Sequence, residues 1–266
     1  MQKAEGRRQK FLLISAFCIL HFAFASCSAE PKFLERKVAI DGHTYAYRVW
    51  LPPHYTKLHR WPVILFLHGS GESGDDNLRP LNTALPALLA RDPSRYRAVV
   101  VIPQCPLGRE WYGEMETQAL AALDQSIKEF RGDRRRVIIT GVSMGGAGAW
   151  YFARHPRFAA IVPVCGEVVR ASDDPFPSDP PADLLTILRA PDPYRALAAR
   201  IGNTPVWAFH GSDDPVISVE QSRRMVKALR NVRYTEYKGG GHDIWDTAYS
   251  DPTLARWMLR QRGIGP

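Results

Sequence analysis

Cysteine is scarce in this chain, four residues in 266, and no two of them stand in the Cys-x-x-Cys spacing of a zinc site or a redox couple. No long tract of glycine, serine or glutamine interrupts the sequence and no fixed-period repeat recurs, which removes linker-rich chains, solenoids and propellers. Long apolar runs are also missing, apart from an uncharged stretch at Phe11–Ser26 that is short for crossing a hydrocarbon core of roughly 30 Å. The formal charge is +8, yet beyond residues 1–26 the only tight basic cluster is Arg134, Arg135 and Arg136, beside an apolar strand and without interleaved aromatics. That pattern reads as a solvated helix-to-strand turn, and no nucleic-acid partner is expected.

What is present suits one sizeable core: 45% of residues are hydrophobic and 11% aromatic. Lys3, Arg7, Arg8 and Lys10 precede the Phe11–Ser26 run, the order of a signal peptide, so residues 1–26 are expected to be an export leader and 27–266 a single catalytic domain. Two cleavage patterns stay open. Ala23-Phe24-Ala25 is a small-x-small site, whereas Phe24-Ala25-Ser26-Cys27 is similar to a lipobox and would make Cys27 a lipidated first residue, attached to a membrane face. The expected location is therefore secreted, periplasmic or lipid-anchored, and nothing in the sequence points to a protein partner. In an exported chain Cys105 and Cys165, each just past a predicted strand, are expected to pair as a disulfide, with two buried thiols as the alternative.

Two β-rich segments, Lys37–Ile40 and Thr44–Leu51, flank Asp41-Gly42 and predict a hairpin. Beyond it, the nearly continuous apolar runs Pro62–Leu67, Ala98–Ile102, Val137–Thr140, Ala159–Val164 and Pro205–Phe209 suit strands buried on both faces. Between and after them, Met115–Phe130, Gly145–His155, Val219–Leu229 and Leu254–Gln261 have helical periodicity. The alternation predicts a mostly parallel α/β sheet with its working loops at the strands' carboxyl ends. Residues 166–193, rich in Pro and Asp, break the pattern and read as an irregular insertion, a lid more readily than a surface loop.

The chemistry-bearing motif is Gly141-Val142-Ser143-Met144-Gly145-Gly146, set between a predicted strand and a predicted helix. Small residues at these positions allow a turn tight enough to hold a serine in a strained conformation, with the helix amino terminus favouring negative charge beside it. An acid and a histidine follow in chain order. The acid lies in His210-Gly211-Ser212-Asp213-Asp214-Pro215-Val216, where Asp214 is the choice and Asp213 a rival. The base is His242, in Gly239-Gly240-Gly241-His242. Donors for an oxyanion are expected from the backbone N–H groups of Ser70, in His68-Gly69-Ser70-Gly71-Glu72, and of Met144. His68 is expected to brace its loop.

On these motifs, together with Pro103-Gln104-Cys105-Pro106, the chain resembles the α/β-hydrolase superfamily, and within it the bacterial predicted-peptidase, phospholipase/carboxylesterase-like and feruloyl or acetyl-xylan esterase-like proteins. The resemblance runs from about the hairpin to the carboxyl terminus and implies the α/β-hydrolase fold. It puts the acid on Asp214 and brings Trp111 near the site as a substrate wall; Trp245, three residues past His242, is a second candidate contact, and core packing is the competing role for both. The chain departs from similar proteins at Glu167 and in the insertion. The expected reaction is hydrolysis of a carboxylic ester, of a small molecule or an acylated carbohydrate, through an acyl-enzyme with no metal or organic cofactor. Peptide cleavage by the same fold, acyl transfer to an alcohol and a non-catalytic exported binding protein are the competing functions.

Overall fold

A computed structural model describes residues 32–170, 176–178 and 180–263. The leader, Cys18 and Cys27 lie outside the described residues, and among those described no helix is long and apolar enough to cross a membrane.

β1 (Lys32–Ile40) and β2 (His43–Leu51) form an antiparallel hairpin. Its turn is Asp41-Gly42, both at positive φ (48° and 82°), the geometry whose twist matches the flanking strands. β2 then pairs antiparallel with β4 (Val99–Pro103), and from there the sheet is parallel. It contains β3 (Trp61–Leu67), β5 (Gly132–Val142), β6 (Ala160–Val164), β7 (Val206–Gly211) and β8 (Val232–Tyr237), in the order β1-β2-β4-β3-β5-β6-β7-β8.

β3, β4, β6 and β7 are buried throughout, because helices cover both faces. Alternating side chains feed two cores. Val63, Leu65 and Leu67 share one core with α2 (Glu114–Glu129), α3 (Met144–Phe152), α4 (Ala182–Leu188), α5 (Pro193–Ile201) and α6 (Glu220–Ala228) on one side. Ile64 and Phe66 meet α1 (Ala84–Arg91), α7 (Trp245–Ser250) and α8 (Pro252–Arg260) on the other. The chain steps from β3 outward to β4, then returns past β3 to β5. The loops leaving β3 and β5 therefore diverge at a switch point, where open α/β sheets place ligands.

Two expectations change. Arg134–Arg136 lie inside β5, which begins five residues earlier than its apolar run because its first half extends past the covered core. Residues 166–193 are not irregular throughout: Leu184 and Ile187, three apart on α4, are buried in the core, and Asp192 caps α5 by accepting from the Arg195 N–H.

Candidate active site

Ser143 stands between β5 and α3 with φ 54° and ψ −119°, a conformation that costs a non-glycine residue on the order of 1–3 kcal/mol unless its surroundings impose it. Here they do. A Cβ on Gly141 would lie 2.2 Å from the Gly145 carbonyl oxygen, and one on Gly145 would lie 2.0 Å from that of Leu67, so β3, β5 and α3 meet backbone to backbone. The Ser143 N–H donates to Val164 O at 2.9 Å. The serine hydroxyl is thereby lifted from the sheet edge at the start of a helix whose first N–H groups have no partner within it.

The three side chains singled out by motif are brought together. His242 Nε2 lies 2.8 Å from Ser143 Oγ, and His242 Nδ1 lies 2.7 Å from Asp214 Oδ2. With an ionised carboxylate at Nδ1, the ring carries its proton there and Nε2 accepts from the serine. Asp214 Oδ1 accepts from the backbone N–H groups of Val216 (2.8 Å) and Ile217 (2.9 Å). Burial alone would raise the Asp214 carboxyl, but the bond from His242 and the two N–H groups outweigh it and hold the acid below the ordinary carboxylate range. Asp213 is exposed and accepts from the Ser212 hydroxyl at 2.6 Å, so the acid facing His242 is Asp214.

The loop after β3 presses on the serine: a Cβ on Gly69 would sit 3.5 Å from that of Ser143. Ser70 follows as the first residue of a 3-10 turn, Ser70–Glu72, and Met144 is the first residue of α3. The imidazole of His68 fixes this loop from below. Its Nδ1–H donates to Gly69 O at 2.6 Å, and its Nε2 accepts the Cys105 N–H at 2.9 Å. Burial pushes its pKa down to about 4, so the ring is neutral, as an accepting Nε2 requires.

Three site expectations need correction or addition. Cys105 and Cys165 are free, buried thiols rather than a disulfide. They follow β4 and β6, separated in the sheet by β3 and β5, and three strand spacings of about 4.8 Å exceed the reach of an S–S bridge. Trp111 is only 1% exposed; its ring N–H donates to His68 O at 2.9 Å and its edge meets the His68 ring, so it is a core brace and not an open wall. Trp245 is half-buried, its ring 5.6 Å from that of His242 at 89°. The addition is His210, fully buried with Nε2 3.2 Å from Asp214 Oδ2, a partner that its motif position alone could not reveal.

Comparison with known proteins places the chain at the level of family and fold. Over 168 residues the chain is 32% identical to "Esterase LipC" of Mycobacterium tuberculosis, covering 51% of this chain and 42% of that one. It is 26% identical over 242 residues to an "Uncharacterized secreted protein" of Arthroderma benhamiae, covering 80% of this chain and 25% of the other. The chain thus spans less than half the length of either curated relative. A solved thermostable esterase superposes with a TM-score of 0.66 at 28% identity, over 86% of this chain and 63% of that one. The profile of the Dienelactone hydrolase family matches residues 107–243, a little over half of the chain and the stretch that carries Ser143, Asp214 and His242. By that match the protein belongs to the dienelactone hydrolase family, within the α/β-hydrolase superfamily.

Proposed function

We propose that the protein hydrolyses carboxylic esters with Ser143 as nucleophile, His242 as general base and Asp214 as the acid that orients the base. The reading rests on the continuous chain from Ser143 Oγ through His242 to Asp214, at 2.8 and 2.7 Å. His242 Nε2 takes the hydroxyl proton as Ser143 Oγ attacks the ester carbonyl. The backbone N–H groups of Ser70 and Met144 receive the oxyanion, and the imidazolium returns its proton to the leaving alkoxide, giving the alcohol and an acyl-serine. Water, deprotonated by the same imidazole, then releases the acid. Asp214 stays ionised throughout, which suits a carboxyl held below its ordinary range.

The test uses purified protein with p-nitrophenyl esters and a fluorophosphonate probe. Ser143→Ala is expected to abolish labelling and to lower kcat by roughly 10⁴-fold or more, and His242→Ala to do the same to turnover. Full activity in either variant overturns the assignment. A panel of short-chain, feruloyl and acetyl-sugar esters beside peptides separates the ester reading from peptide cleavage.

We infer also that the protein is exported. The support is the basic-then-apolar order of residues 1–26 and the relative called a secreted protein. Mass measurement of the mature chain distinguishes cleavage after Ala25 from a lipid-bearing Cys27; an intact leader on exported protein contradicts both.

A further inference from the structure

Asp214 has more partners than orienting one histidine requires. Its side chain is fully buried, Oδ1 takes two backbone N–H groups, Oδ2, the oxygen used by His242, also faces His210, and a second side chain stands near the carboxylate. His210 stands on β7. Its Nε2 lies 2.9 Å from Ile217 O and 3.2 Å from Asp214 Oδ2, and its Nδ1 lies 2.7 Å from Ser222 Oγ. A neutral ring with Nε2–H shared between the two oxygens and Nδ1 accepting the Ser222 hydroxyl satisfies all three contacts, and burial, which lowers the His210 pKa, keeps it neutral. The other is Cys165, just past β6. Its Sγ, an Asp214 carboxylate oxygen and a His242 ring nitrogen all lie within 4.8 Å of one another. The thiol is buried and its backbone is held at φ 48°, with its N–H donated to Phe209 O at 2.9 Å.

We propose that His210 and Cys165 are positioning residues for the acid: their N–H and S–H groups donate to the carboxylate that His242 uses, fix its plane and share its charge. The inference rests on Ser143, His242 and Asp214 being the catalytic groups. A buried carboxylate with a single side-chain partner would be free to rotate and would tend to take up a proton. Donors on either side restrict the rotation and keep the ionised form. The thiol keeps its proton here and so can donate it, since burial first, and then the charge of Asp214, raise it to about 12 against the backbone bonds from Gly211 and Ile244.

The consequence is legible in the pH dependence of the reaction. A carboxylate that shares its charge with other donors stabilises the His242 imidazolium less, so deleting a donor makes His242 more basic. Other titratable groups around this cluster are Tyr249, Tyr234 and Glu236, the last paired with Arg223 at 2.6 Å. The tyrosines are raised and Glu236 is lowered from their ordinary ranges, so none of these three changes charge on the acid limb of a histidine; Glu72, beside Gly69 across the serine, is raised by burial but is untouched in every variant compared.

The experiment is the pH profile of kcat and kcat/KM for a p-nitrophenyl ester with Cys165→Ala, Cys165→Ser, His210→Phe and His210→Gln. Cys165→Ala and His210→Phe are expected to lower kcat about tenfold with KM within twofold, and to move the acid limb about half a unit to higher pH. Cys165→Ser offers a stronger donor and is expected to recover most of kcat while moving the limb to lower pH; His210→Gln, with an amide N–H near the Nε2 position, returns it toward wild type. A purely structural role would not give opposite shifts for serine and alanine. Limbs unmoved in Cys165→Ala and His210→Phe, or moved the same way in both Cys165 variants, overturn the proposal. If Cys165→Ala does not fold, the direction of the Cys165→Ser shift decides. Ser143→Ala, run in parallel, separates the two readings: an active Ser143→Ala enzyme sinks the triad, whereas an inactive one beside unmoved limbs sinks only the positioning role.

Discussion

The two sides of the candidate site are held by different physics. On the side of β3 and β5, the elbow and the loop above it are packed backbone to backbone, with the neutral imidazole of His68 bracing the loop. On the other side, the segment after β6 and the helix that follows it are tied down by charge. Arg154, beyond the end of α3, pairs with Glu116 of α2 at 2.8 Å and with Asp183 of α4 at 2.6 Å; Arg170 pairs with Glu110, in the loop after β4, at 2.7 Å. The first side should tolerate no added volume. The second should tolerate changes of shape but not of charge.

Gly145→Ala tests the first half of this contrast and carries the largest expected effect. Its Cβ would need the space 2.0 Å from Leu67 O and 2.6 Å from His68 O, both backbone atoms of the strand and loop that flank the serine. Neither can swing aside as a side chain would, so the loss should reach about 4 kcal/mol or more, the range reserved for severe core clashes. Chemical unfolding measures it. A variant that folds with near-native stability and activity would show that the backbone packing is slack.

Arg154 is the counterpart on the charged side. It and Glu116 are 5% and 6% exposed, so truncation to alanine leaves a buried carboxylate facing only the half-exposed ring of His155. Breaking such a pair from one end costs about 3 to 4 kcal/mol. The double variant Arg154→Leu with Glu116→Leu removes both charges and is expected to recover much of that loss, because the penalty is one of desolvation and not of shape. If the double variant is as unstable as Arg154→Ala, the charge account is wrong.

His68 gives the packed side its own pH dependence. The unfolded imidazole titrates near 6.5, the buried one at about 4, and the folded form needs it neutral to accept the Cys105 N–H. The folded state therefore binds fewer protons between these values. Stability is complete above the unfolded pKa and falls as the pH drops toward 4, by up to about 3 kcal/mol for this one group. Asp214 adds a separate loss at lower pH, since its carboxyl lies below the ordinary range and its contribution disappears only as the pH falls through that depressed value. Urea midpoints of wild type and His68→Asn between pH 7 and pH 4.5 should converge as the pH falls; parallel curves would deny the imidazole this role.

The same contrast explains what could be read from sequence. The packed side announces itself locally, since a strand, a glycine-flanked serine and a helix are contiguous, and so the tight turn at Ser143, with Asp214 and His242 following it in chain order, was legible. The choice of Asp214 over Asp213 rests on the motif resemblance; its physical reason lies in the loop after β7, which closes the Val216 and Ile217 N–H groups on Asp214, a turn geometry that two adjacent carboxylates do not betray. The charged side depends on pairs far apart in sequence, such as Arg154 with Glu116, which no periodicity marks. The apolar spacing of Leu184, Ile187 and Leu188 was present but was masked by the Pro- and Asp-rich residues before it. The disulfide expectation failed for a related reason: proximity to strand ends says nothing about which strands are neighbours, and the return of the chain from β4 past β3 placed two strands between the thiols.

Glu110→Gln is the smallest perturbation and the one that separates anchoring from catalysis on the charged side. Glu110 accepts from Arg170 Nη1 through both oxygens at 2.7 Å, with side-chain exposures of 22% and 12%. The substitution keeps the shape and one acceptor, and Arg170 retains Glu167 at 3.7 Å and the Phe176 ring at 5.1 Å. For a partly solvated pair the expected loss is about 1 kcal/mol, shrinking in high salt as screening weakens the native pair too. Because Glu110 adjoins the buried Trp111 and makes no contact with Ser143, His242 or Asp214, kcat should stay within about threefold of wild type if the segment is held by several pairs at once. A loss of kcat beyond tenfold without a matching loss of stability would mean that this ion pair shapes the space around the acyl group, and the charged side would then belong to the chemistry as much as the packed one.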